Sequence, residues 1–115
     1  MIDLNVKLND NHVDPDNTLE DLIKEVYRAG YEFDYKNTTY FIDFWDKEVW
    51  QCVTNLNEHN PNIPESTHFF NVTSEKDIEN LFETFKMHDG TPLWQIFVDK
   101  KYSKYFGYQK GKTFD

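Results

Sequence analysis

Apolar and polar residues alternate at the start of the chain, with Ile2, Leu4, Val6 and Leu8 set against Asp3, Asn5 and Lys7. That period of two predicts a first strand with one wet face. The stretch DNHVDPDN, rich in Asp and Asn and holding Pro15, predicts a loop. The period then lengthens: Leu19, Leu22, Ile23, Val26 and Tyr27 recur at helical spacing. Asn17 with Glu20 three residues on makes a capping-box-like start and Gly30 a stop, so the pattern predicts a helix over 18–29.

Period two returns in YEFDYKNTTYFIDFW, which predicts two strands joined at Lys36-Asn37. A second turn at Asp46-Lys47 leads into VWQCVTNL, completing a three-stranded meander. The middle of this region, TTYFIDFWDKEVWQCV, carries five aromatic residues, Tyr40, Phe41, Phe44, Trp45 and Trp50. A strand apolar on both faces is usually covered on both, so we read the density as core with a small exposed patch. Asp43 marks the Phe41 and Trp45 side as the wetter one. Phe41, Asp43, Trp45 and Trp50 are therefore the expected interaction surface, because rigid rings bury much area at small entropic cost.

NEHNPNIPEST reads as a loop, followed by a short edge strand at HFFNV. Ser74 with Asp77, then Ile78, Leu81, Phe82 and Phe85, predict a second amphipathic helix over 75–87. Thr91-Pro92 opens a short third helix over 92–98, although its length leaves a strand open. The basic, aromatic tail over 100–115 is expected to form a last strand. The prediction is a single α+β domain over 1–115: a mostly antiparallel sheet of four or five strands, with the helices packed on one face.

Charge is unevenly placed. Residues 100–115 hold five lysines against Asp115, a net +4, while residues 1–99 hold seven basic and twenty acidic groups, a net −13. An acidic body of that kind repels nucleic acid and steers toward cationic surfaces over about a Debye length, ~8 Å at physiological salt. The single cysteine, Cys52, and a start with neither a basic nor a long apolar run are expected of a reducing, cytoplasmic setting. No stretch approaches the ~20 apolar residues of a membrane span, and no membrane partner is expected.

Candidate chemistry is sparse. His12, Asp14 and Asp16 alternate in the first loop, but a calcium loop starting at Asp10 would need glycine where Pro15 stands and glutamate where Asp21 stands. No metal site is assigned. Cys52 lies on a strand expected to be buried, where a thiol acts as a small apolar group. No phosphate-cradling or nucleophile-elbow motif exists, so no catalytic residue and no cofactor are assigned. The tail places Lys100, Lys101 and Lys104 beside Tyr102, Tyr105 and Phe106. Lysines neutralise phosphates and rings stack on unpaired bases for ~1–3 kcal/mol each, which makes the tail a candidate for nucleic-acid binding. The competing reading sets its lysines against the acidic body.

The order of an aromatic hairpin, an aromatic strand end (HFFNVTS), a capped helix (SEKDIENLFETF) and then DGTPLWQIF resembles small uncharacterised proteins of Gram-positive bacteria and their phages. The likeness covers 31–98, and its specific element is Asp89-Gly90 with Leu93. It implies an α+β fold and a mobile-element origin, and transfers no site. The functional expectation is a non-enzymatic, acidic protein-binding domain, monomeric or homodimeric. A phage or mobile-element inhibitor, or an immunity protein against a basic nuclease, is one form of it. The alternative is nucleic-acid binding through the tail.

Overall fold

The computed structural model describes residues 2–8, 17–99, 103–107 and 111–114, the last two segments as backbone only. Four strands run up and down in sequence: β1 (Tyr31–Tyr35), β2 (Thr38–Asp46), β3 (Val49–Thr54) and β4 (Ser66–Asn71). All are antiparallel. A C-terminal hairpin of β5 (Ser103–Gly107) and β6 (Gly111–Phe114) adds to this sheet, β6 lying parallel to β1. The order across the sheet is β4-β3-β2-β1-β6-β5. The tail thus forms not one strand but two, and the described sheet has six strands rather than four or five. The single mostly antiparallel α+β domain stands as expected.

Local chemistry explains the turns. Lys36 and Asn37 both take positive φ, 46° and 63°, the geometry of a two-residue hairpin whose twist matches its strands. At the other end of β2 a register shift falls between Phe44 and Asp46, so the turn sits at Lys47-Glu48, one residue later than the sequence suggests.

Helix α1 (Leu19–Ala29) buries Leu19, Leu22, Ile23 and Val26, as its spacing predicts. Its cap is one residue along from the expected one: Thr18 Oγ1 accepts from the Asp21 backbone N–H at 3.4 Å, and Asp21 accepts from the Thr18 backbone N–H at 2.9 Å. Helix α2 (Glu75–Thr84) ends three residues short of the expected Met87. Phe85 is extended there, and residues 85–93 close into a tight loop in which Met87 N–H donates to Thr91 O and Leu93 N–H to Phe85 O, both at 2.8 Å. Helix α3 (Leu93–Val98) follows. It places Phe97 edge-on to Phe33 at 5.4 Å between centroids, and Phe33 stacks on Tyr40 at 5.3 Å.

The first expected strand is not one. Residues 2–8 make only an isolated bridge, Lys7 to Thr18, yet Ile2, Leu4 and Leu8 pack on the core, so the alternation marks inside and outside without a ladder. Backbone bonds from Leu19 N–H to Val6 O and from Glu20 N–H to Leu4 O tie the segment to the start of α1 instead, occupying donors that a helix leaves open there.

Trp50 requires the other correction. It is 2% exposed, on the helix-covered side of the sheet with Ile42 and Cys52. Tyr27 of α1 stacks over it at 6.5 Å and Phe44 meets it edge-on at 5.1 Å. Trp50→Ala is expected to cost about 3–5 kcal/mol in a urea melt, and Trp45→Ala about 1 kcal/mol or less. Equal losses would contradict this assignment of faces.

Candidate functional site

The strand registers decide what shares the face opposite the helices. Glu32 pairs with Phe41, Phe41 with Val53 and Val53 with Thr67, which sets one row across β1 to β4. Asp43, Gln51 and Phe69 form the next row, and Asp34 lies opposite Thr39. Because side chains alternate across a strand, these residues all point to one side, and the core residues Phe33, Tyr35, Tyr40, Ile42 and Cys52 point to the other. Trp45, carried out by the register shift, is 65% exposed and meets Phe69, 52% exposed, edge-on at 5.8 Å.

The face is acidic by composition. Strands β1 to β4 carry Glu32, Asp34, Asp43 and Asp46 and no lysine or arginine. Glu32, opposite Phe41, stands diagonal to Asp43 across the β1–β2 ladder. Asp43 is held by a particular fit. Gly30, with φ 73° and ψ −176°, lies beside it, and a Cβ there would come within 2.8 Å of the Asp43 carboxyl carbon and of the Ile42 carbonyl. Only glycine adopts that backbone readily. The carboxylate then accepts from the Phe44 backbone N–H at 2.7 Å.

Of the surface expected from the sequence, Phe41, Asp43 and Trp45 stand together on this face and Trp50 does not. Phe69, Glu32 and Asp34 complete it. Counting parity outward from Asp43 through the ladder would have found them, but β4's register is not visible in the sequence. Of the candidate tail, Lys100, Lys101 and Tyr102 lie outside the described residues, as do His12, Asp14 and Asp16. The backbone of Lys104, Tyr105 and Phe106 runs in β5, the outer strand of the C-terminal hairpin.

A second polar cluster joins the β1–β2 turn to the loop between α2 and α3. Asp89 Oδ2 accepts from the Tyr35 hydroxyl at 2.7 Å and from Lys36 Nζ at 2.9 Å, and its Oδ1 accepts from the Thr91 backbone N–H at 3.0 Å. Tyr40's hydroxyl accepts from the His88 backbone N–H at 2.8 Å and pairs with His88 Nδ1 at 2.7 Å. Burial pushes the Tyr40 phenol up to about 12, so it stays a neutral hydrogen-bonding group at physiological pH. These bonds join the β1–β2 hairpin to the loop between α2 and α3, which is the geometry of a latch.

Cys52 is buried, and desolvation holds its thiol far above the usual range, so it packs as an apolar group. Among the described residues no group of His, Cys, Asp and Glu is placed to hold a metal ion, and no described helix is long and apolar enough to cross a membrane. No protein-family model, no curated protein and no solved structure matches the chain. The site therefore stands on its own geometry: a mixed aromatic and carboxylate surface, exposed among the described residues at Trp45 and Phe69, on the side of the sheet opposite the helices.

Asp89 makes the latch sensitive to acid. Burial alone would raise its pKa, but hydrogen bonds from Tyr35, Lys36 and Thr91 outweigh this and hold it well below its ordinary 3.8. A depressed carboxylate stabilises the fold fully above its unfolded value, and that stabilisation is lost as pH falls through the folded one. Asp89→Asn is expected to cost about 1–3 kcal/mol at neutral pH and to flatten the loss of stability in acid. An unchanged acid limb in denaturant melts would contradict the latch.

Proposed function

We infer that this domain is a non-enzymatic binding protein that engages a basic protein partner through the open face of its sheet, with Phe41, Asp43 and Trp45 at the centre. The observation that carries the reading is that, among the described residues, exposed Trp45 and Phe69 share the face opposite the helices with Phe41, Glu32, Asp34 and Asp43, on strands β1 to β4 that carry no lysine or arginine. Exposed aromatic patches mark interaction sites, and carboxylates beside them favour a partner that brings positive charge. The net −9 adds long-range steering toward such a partner. A basic nucleic-acid enzyme or nuclease whose phosphate-binding groove the acidic face occupies is the partner class this chemistry favours, in keeping with an inhibitor or immunity role.

The experiment is capture of partners from lysate of the native host on immobilised protein, followed by stepwise salt. The reading predicts a basic protein, released as salt rises, whose capture Asp43→Lys weakens at least about tenfold, a change of ~1.4 kcal/mol. That variant gives up the bond from the Phe44 backbone N–H and is expected to lose about 1 kcal/mol of stability while staying folded. Salt-insensitive binding, or capture of nucleic acid alone through the lysine-rich tail, would overturn it.

A further inference from the structure

The outer strand β4 raises a separate question. Exposed strand edges invite pairing, and proteins blunt them with lysine, proline, a bulge or a covering segment. β4 has none of these within it. Its ladder with β3 runs from Val49 and Asn71 to Thr54 and Ser66 without a shift, Pro64 precedes the strand, and STHFFN holds no lysine. Among the described residues, β3 is the one strand it pairs with.

The direction of its backbone groups follows from one bond. Val72 N–H donates to Glu48 O at 2.8 Å, one pair beyond the ladder's end at Val49 and Asn71. Antiparallel pairs alternate between those that exchange both hydrogen bonds and those that exchange none. His68 and Phe70 share the parity of Val72 and bond inward to β3. Thr67, Phe69 and Asn71 therefore turn their N–H and C=O groups outward.

We propose that two copies of the chain join through these edges, β4 pairing antiparallel with β4 of the second copy about a two-fold axis, so that the two sheets become one. The register is fixed by the outward groups: Phe69 opposite Phe69 of the second copy, with Thr67 opposite its Asn71 and Asn71 opposite its Thr67. This alignment engages all three outward residues of each copy and keeps the helices of both on one side. The strand suits its own likeness because it contains no Asp, Glu, Lys or Arg. Pairing the open faces instead would set Glu32, Asp34 and Asp43 of one copy against those of the other. At the axis the two Phe69 rings stand on Cα atoms ~5.5 Å apart, each already flanked by its own Trp45. The carboxylate face stays outward and is doubled.

Sedimentation of the full chain across a concentration series reads this directly. The expected species is a dimer of twice 13.9 kDa. Thr67→Pro deletes an outward N–H without touching the ladder to β3, and Phe69→Lys places like charges at the axis. Each is expected to weaken the dimer at least about tenfold, with the far-ultraviolet circular dichroism unchanged. Should Thr67→Pro not fold, Phe69→Lys carries the test alone. Asp43→Lys, on the carboxylate face, is expected to leave the dimer intact, which separates this inference from partner binding. A chain that stays monomeric throughout, or a dimer of unchanged affinity in Phe69→Lys, overturns the proposal.

Discussion

The stack of Phe33 on Tyr40, with Phe97 meeting Phe33 edge-on, ties a six-residue helix to the first two strands and fixes which side of the sheet is sealed. Offset and edge-on aromatic pairs give about 0.5–1.5 kcal/mol each beyond the area they bury. Phe82 of α2 reaches the same Phe97 ring, so α2, α3 and the sheet share one contact centre. Once Phe33 and Tyr40 face the helices, the period of two leaves no freedom for their neighbours. Ile42, Trp50 and Cys52 must go in, and Phe41, Asp43 and Gln51 must go out.

The acidic character of the open face is a consequence of the same constraint. Glu32, Asp34 and Asp43 are kept off the sealed side, where an unpaired charge would be costly, and collect on the other. Two glycines shape this frame in different ways. Gly30 ends α1 and leaves room for Asp43 at the same position. Gly90, at φ 90°, makes the turn that carries Asp89 back to Tyr35 and Lys36. The latch thereby anchors the loop between α2 and α3 to the β1–β2 hairpin, and the face lies on strands held from both ends.

Much of this was legible in the sequence because periodicity reports burial. The stripe from Leu19 to Val26, the meander, the Lys36-Asn37 turn and the α+β class all follow from spacing and turn chemistry. The misreadings have separate physical causes. Residues 2–8 alternate because one side packs on the core, and burial alone does not make a ladder. Residue type groups Trp50 with Phe41 and Trp45, but its parity matches Cys52, and Tyr27 and Phe44 cover it. Thr18 rather than Asn17 caps α1 because Asp21, not Glu20, returns the bond. Phe69 and the Asp89 latch depend on contacts between distant segments, which local pattern does not encode.

One face of the sheet is sealed by helices, and the proposed function sets a partner on the other. Hydroxyl-radical footprinting by mass spectrometry, on the chain alone and on the chain with its captured basic partner, measures both halves at once. The account predicts that Trp45 and Phe41 are oxidised in the free protein while Trp50, Tyr40 and Phe33 are spared, and that the partner protects Trp45 and Phe41. Rapid oxidation of Trp50 in the free protein, or a complex in which Trp45 and Phe41 stay as reactive as before, would contradict it.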